Sequence, residues 1–159
     1  MIRVRRYRAG DAAPLHAIFY RAVHEGAAAF YSVAEQRAWA PHTAPPSDWA
    51  ARLADQITCV AEEPDGPVGF MTLGHDGHLD LAYVAPETMG RGVASALHDR
   101  ILAEAQARGL TTLDTEASHL ARRFFLRQGW RDHGAQQVAR GDVRLTNFRM
   151  TKTVAPRGG

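Results

Sequence analysis

A chain of 159 residues, 45% hydrophobic and 23% charged, is one globular domain's worth of sequence with core enough to need no metal or disulfide staples. It has no run of about 18 apolar residues and no apolar leader behind Met1, so the expectation is a cytoplasmic protein without a membrane span. Nineteen lysines and arginines against 17 acids leave a net charge of +2, too little and too evenly spread to argue for a nucleic-acid partner.

In chain order, Ile2, Val4 and Tyr7 alternate with arginines as a half-buried first strand. Asp11 is placed to cap a helix whose apolar face runs Leu15, Ile18, Phe19, Ala22, Val23. Ser32-Val-Ala-Glu35 is a capping box opening a short helix that Pro41 stops, and 47–56 reads as a third helix with Trp49 and Leu53 on one side. The segment 26–46 is therefore a helical excursion. Strands follow at 57–62 and 68–73 around the turn Pro64-Asp65-Gly66, then at 78–84 after Asp76-Gly77. The lone Cys59, inside Ile57-Thr-Cys-Val-Ala61, is expected as a buried strand thiol. A long helix from about 91 to 108 carries Val93, Leu97, Ile101 and Ala105 and ends at Gly109. A strand at 111–116, a helix at 118–128 and a hairpin turning at Gly141-Asp142 complete the order. In the last strand the apolar positions switch from odd (Val143, Leu145) to even (Phe148, Met150), which predicts a bulge near Thr146-Asn147. The class is a mixed α/β sheet in one domain, 1–154, with a frayed tail at 155–159.

The stretch with chemistry in it is Leu79 to Ala94, where a strand ends, a loop follows and Gly90 and Gly92 open an amphipathic helix. The unpaired N–H groups of a helix start carry partial positive charge, glycines let a ligand approach the backbone, and Arg91 adds a full charge, so the turn suits an anion. It is not a Walker loop, because no Gly-Lys-Ser/Thr follows. Gly90-x-Gly92-x-x-Ser95 with Asp114 downstream comes near the dinucleotide fingerprint. The five residues between strand and first glycine, Pro86 among them, count against that reading, although a dinucleotide and a purely structural turn both stay open.

Two motifs, read together, resemble the GCN5-related N-acetyltransferases (GNAT). Met89-Gly90-Arg91-Gly92-Val93-Ala94 is similar to that family's Gln/Arg-x-x-Gly-x-Gly/Ala turn, with Met in first place. Ser118-His-Leu-Ala121-Arg-Arg-Phe124-Phe125-Leu-Arg-Gln-Gly129-Trp130 is similar to its Asn-x-x-Ala-x-x-Phe-Tyr-x-x-x-Gly-Phe run. The resemblance covers the whole chain and looks closest to the bacterial YafP-like branch through Phe19-Tyr-Arg-Ala-Val-His24 and Trp39-Ala-Pro41. It implies an acyl-CoA N-acyltransferase fold with a splayed central sheet, acetyl-CoA as cofactor with CoA as product, a small-molecule or peptide amine as acceptor, and a homodimer by family habit. It implies, further, that the backbone N–H groups of Gly90, Arg91, Gly92, Val93 and Ala94 take the pyrophosphate, with Met89 also at the cofactor. Leu81, Tyr83 and Val84 would lie along the pantetheine arm, with Ser118, Ala121 and Phe125 beside it. The N–H of Tyr83 or Val84 is the candidate donor to the thioester oxygen.

Phe125 stands where the family has a tyrosine that protonates the leaving thiolate. Either the chemistry runs without it, or Tyr83 or Tyr31 replaces it, or the protein is a non-catalytic acetyl-CoA-binding module. For the proton acceptor the order of preference is Asp80, Glu116, His78: Asp80 and His78 are two apart on one strand, and Glu116 ends the next. By family analogy the excursion forms the substrate wall, with His24, Glu25, Tyr31 and Trp39 as candidates. No metal site is expected: His24-Glu25 lacks a zincin's second histidine, and the odd spacing of His75 and His78 separates them on a strand.

Overall fold

The computed structural model describes residues 1–155, so the expected tail falls, but for Ala155, outside the described residues. The element order is β1 (Arg3–Arg6), α1 (Ala12–Arg21), α2 (Val33–Trp39), α3 (Trp49–Ala54), β2 (Ile57–Glu63), β3 (Gly66–Leu73), β4 (His78–Val84), α4 (Val93–Ala107), β5 (Thr112–Ala117), α5 (His119–Arg127), β6 (Arg131–Arg140) and β7 (Val143–Thr153). A wide helical turn, Ala22–Gly26, extends α1, and a tight one, Pro86–Thr88, precedes α4. The capping box forms as expected, Ser32 Oγ accepting from the Glu35 N–H and Glu35 Oε1 from the Ser32 N–H. No described helix is long and apolar enough to cross a membrane.

The described strands form one sheet in the order β1-β2-β3-β4-β5-β7-β6, antiparallel except for β4 with β5. Strands β2 and β3 are covered on both faces, which is why they read as continuous apolar runs. Cys59, Met71, Leu79, Leu97, Ile101, Leu113, Phe125 and Met150 pack on the α4/α5 side, while Leu15, Ile18, Leu53, Val60, Phe70 and Leu81 pack on the α1/α3 side. Cys59 is fully buried, and that burial pushes its thiol up to about 11, as an inert core group. Helix α4 lies close against β3 because Gly69 has no side chain: a Cβ there would stand 2.9 Å from Val93 Cγ1 and 3.2 Å from Leu97 Cδ1.

Two local expectations are corrected. Asp11 does not cap α1 with its side chain; its carboxylate accepts two bonds from Arg5, at 2.8 and 2.9 Å, and one from the Arg8 N–H. An arginine fork within reach outcompetes a neutral N–H. Nor does β7 bulge at Thr146-Asn147, since its pairing with β6 runs unbroken from Val143 to Phe148 and the irregularity falls in β6 between Asp132 and Ala135. The parity switch has another cause. Leu145 packs with Tyr31 and Ala27 on one face of a regular strand, and Met150 packs in the main core on the other.

Candidate functional site: two clefts meeting at a fork in the sheet

The sheet comes apart where β4 and β5 run side by side. Among the described residues their pairing is confined to His78 with Asp114 and Leu79 with Thr115. At the same point Thr72 pairs with Leu81 and Leu73 with Leu79, which leaves Asp80 as an unpaired bulge residue. The bulge sends Leu79 to the α4 face and Leu81 to the α1/α3 face. Beyond it the edges of β4 and β5 are open to one another. Backbone N–H groups alternate sides along a strand. Ala85 donates to the Val68 carbonyl, so Tyr83, two residues back, also points toward β3, and the N–H groups of Ala82 and Val84 face the gap. Of the two candidate oxyanion donors, the strand geometry thus favours Val84 over Tyr83.

On one side of the fork lies a cleft of about 350 Å³, lined by Tyr83, Val84, Met89, Gly90, Gly92, Val93, Ala94, Ser118, Ala121 and Phe125. Gly90 and Gly92 adopt φ of +80° and +85°, the left-handed region that favours glycine, and no side chain caps α4. The first intrahelical bond runs from Ala96 N–H to the Gly92 carbonyl, so the donors of Gly92 to Ser95 have no helical acceptor. Ser118 caps α5, its Oγ accepting from the Ala121 N–H at 3.2 Å. Phe125 is buried in the floor. Met89 is 42% exposed at the rim, and Arg91 turns outside to Glu63 at 3.4 Å, so of the expected loop residues Arg91 does not line the cleft. Leu81 belongs to the other cleft, its N–H donating to Thr72 Oγ1.

That second cleft, about 200 Å³, is lined by His78, Asp80, Leu81, Glu116, Tyr31, Arg52, Arg140 and Asn147, and shares Trp39, Tyr83 and Ser118 with the first. The three candidate proton acceptors do come together here, and their surroundings reorder them. Asp80, first in the sequence reading, accepts two bonds of 2.9 Å from the Arg52 guanidinium and one of 3.0 Å from Gln56. Burial by itself would raise this carboxyl, but the Arg52 and Gln56 bonds more than offset it and hold it below the usual carboxylate range. A carboxylate so engaged is a poor acceptor. Glu116 is exposed, with one long contact of 3.5 Å from Asn147 Nδ2. His78 Nδ1 is hydrogen-bonded to Asp114 Oδ1, and its Nε2 has no protein partner among the described residues.

The tyrosines are less free than expected. Tyr31 donates to the Thr146 carbonyl at 2.8 Å and accepts from the His119 N–H at 3.1 Å, which makes it a strut between β7 and α5. Tyr83 accepts from Trp39 Nε1 at 3.2 Å, and burial pushes its phenol well above the ordinary range. Neither is a ready replacement for the acid missing at Phe125. His24 lines neither cleft: its Nε2 donates to the Ala40 carbonyl at 2.8 Å, and Glu25 turns to Arg21 at 3.4 Å. His24 thus ties the excursion to the end of α1, and Glu25 pairs within its own helical run, instead of facing a ligand. Sequence reasoning missed Arg52, Arg140 and Asn147, and met Asp114 only as the acid of the dinucleotide reading. Asp114 had a signal, since it stands two residues before Glu116 on the same face of β5; Arg52 had none.

A GNAT acetyltransferase domain model matches residues 22–152. The N-acetyltransferase YafP of Escherichia coli K12, itself uncharacterized, is 36% identical over 150 residues, 94% of each chain. A GCN5-related N-acetyltransferase from Rhodopseudomonas palustris, known as a crystal structure, has a TM-score of 0.90 at 36% identity, over 95% of this chain and 94% of that one. The PaiA N-acetyltransferase of Thermoplasma acidophilum, solved in complex with coenzyme A, has a TM-score of 0.73 at 15% identity, over 96% of this chain and 99% of that one, and speaks for the fold alone. With the forked sheet, the left-handed glycine turn and these relatives, the chain belongs to the GNAT family of acetyltransferases, whose acyl donor is acetyl-CoA.

Proposed function

We propose that the protein transfers the acetyl group of acetyl-CoA to a primary amine of a small molecule or peptide, with the apolar cleft taking the donor and the polar cleft the acceptor. The observation that carries this reading is that two unlike clefts meet at Tyr83, Trp39 and Ser118, the residues they share among those described. The donor cleft fits its group. Four helix-start N–H groups without acceptors, from Gly92 to Ser95, suit a pyrophosphate, and the inward N–H of Val84 suits a thioester oxygen.

Bound acetyl-CoA supplies an activated acetyl group; the chain's own residues handle the amine. An alkylamine of pKa near 10.4 arrives as an ammonium and has to lose a proton before it can attack. Exposed Glu116 at the fork attracts that cation. An imidazole is a stronger base than a carboxylate (reference values about 6.5 and 4.3), which favours His78 as the acceptor. Asp114 fixes the ring through Nδ1, leaves Nε2 to take the proton and stabilises the resulting imidazolium. Phe125 has no proton to give, and a free thiol's pKa of about 8.5 lets it depart unaided near neutral pH.

Thermal unfolding with acetyl-CoA, with NAD as control, tests the donor site. A ligand at 100 times its Kd adds about 2.7 kcal/mol, which should raise Tm by roughly 5–10 °C for a chain of this length. A shift with acetyl-CoA and none with NAD supports the reading, and CoA release with an amine panel then tests turnover. No shift at millimolar acetyl-CoA overturns it.

Replacing Gly92 by Val is expected to weaken acetyl-CoA binding at least tenfold. A Cβ there meets nothing within 4 Å, so packing survives. The left-handed φ strains any other residue by about 1–2 kcal/mol, and relaxing that strain would turn the first N–H groups of α4 from their native direction. Calorimetric titration would check it; an unchanged Kd would make the turn merely structural.

A further inference from the structure

Resting on that reading of the polar cleft, we infer that the acceptor is a zwitterion: a small primary amine that also carries a carboxylate, of the amino-acid type, with Arg140 holding the carboxylate and Glu116 holding the ammonium. The strand register puts these groups on one wall. Val138 pairs with Leu145 and Arg140 with Val143, and Val138, Leu145 and Val143 pack around Tyr31, so the even residues of β6 and the odd residues of β7 face the cleft. Arg140 and Asn147 follow the same parity, and both line it.

The charges then sort into a matched pair and two remainders. Arg52 is engaged with Asp80 through two nitrogens. Arg140 bonds only the neighbouring Ala139 carbonyl, at 3.0 Å, and no carboxylate of the described residues lies within ion-pair distance of it. Glu116 likewise has no cation against it, only the Asn147 amide. An unpaired guanidinium and an unpaired carboxylate in one cleft complement a ligand that carries both signs.

Asn147 lines the cleft beside Glu116, its Nδ2 donating to Glu116 Oε2 at 3.5 Å, while its own oxygen is shielded and lies out of a ligand's reach. Size agrees: about 200 Å³ is below the roughly 300–1,000 Å³ of clefts for drug-sized ligands.

The test is CoA release with matched pairs, L-methionine against 3-(methylthio)propylamine and L-phenylalanine against 2-phenylethylamine, for the wild type, Arg140→Gln and Arg140→Lys. The wild type should favour the amino acid at least tenfold in kcat/KM. Arg140→Gln should erase that preference, mainly through KM, and Arg140→Lys should restore part of it. Differences in intrinsic amine reactivity cancel when the preference is compared between wild type and variant. An unchanged acetyl-CoA Kd shows that each variant is folded. The inference is overturned if the decarboxylated amine is used as well as the amino acid, or if Arg140→Gln lowers both members of a pair equally. Turnover of other amines but of neither zwitterion overturns the substrate class and leaves the acetyltransferase reading standing. No turnover of any amine removes both.

Discussion

Replacing His78 by Gln is expected to lower kcat/KM by about 10²–10⁴ at neutral pH while leaving acetyl-CoA affinity unchanged. That is the usual contribution of a positioned general base, the role proposed for His78, which lines the polar cleft without lining the apolar one. Asp114→Asn should reduce kcat in the same direction and by less, because the imidazole remains but loses the carboxylate at Nδ1. Glu116→Gln should act chiefly on the KM for the amine, since on the proposed reading it removes the carboxylate that attracts the cation and leaves His78 in place. Free imidazole added to His78→Gln or to a His78→Ala variant should recover part of the rate, which a merely structural histidine would not permit. The opposite pattern, a collapse of kcat in Glu116→Gln with His78→Gln nearly intact, would move the base to Glu116. Asp80→Asn gives a third comparison. Its carboxylate holds Arg52 and Gln56, so its loss should appear first in stability and in the shape of the cleft.

The second large effect concerns stability against acid and rests on His98. This side chain is 1% exposed, with Phe124, Phe125 and Trp130 around it, and its Nε2 accepts from Trp130 Nε1 at 2.9 Å. The imidazole therefore has to be neutral in the fold; a proton on Nε2 would break that bond and bury a charge. Burial first, and then the positive charge of Lys152, push its pKa down from the ordinary 6.5 to about 4. Because the folded value lies below the unfolded one, the unfolded chain binds more protons between pH 6.5 and pH 4. The contribution is intact above about pH 6.5 and is lost as pH falls toward 4, amounting to about 3 kcal/mol. Urea unfolding at pH 7 and pH 4 should show this loss in the wild type. His98→Gln, which keeps an acceptor for Trp130 but does not titrate, should lose about that much less over the same interval. Equal losses in the two proteins would remove His98 from the acid response. The carboxylates held low by arginines, Asp11, Asp80 and Glu104 among them, give up their contributions at lower pH, below their unfolded values near 4, and are common to both proteins.

What the sequence determined by itself is the part of the molecule governed by neighbours in the chain. The order of strands and helices, the Ser32 capping box and the glycine turn that opens the long helix at Gly90 and Gly92 all depend on residues within a few positions of one another, and all form as read. Periodicity also reported burial correctly for Leu97 and Ile101, and the continuous apolar run did so for Cys59. The misread β7 shows its limit: alternation tells that Leu145 and Met150 are buried, but not that two separate cores lie on opposite faces of one regular strand. Which charge meets which was decided only by the tertiary structure. Asp80 and Arg52 are 28 residues apart, His78 and Asp114 are 36 apart, and Asp11 turns from its own helix to Arg5 on the first strand. The strength of a base and the freedom of an anion depend on the opposite charge within about 4 Å, and that neighbour is set by sheet order and helix packing, which no local pattern contains.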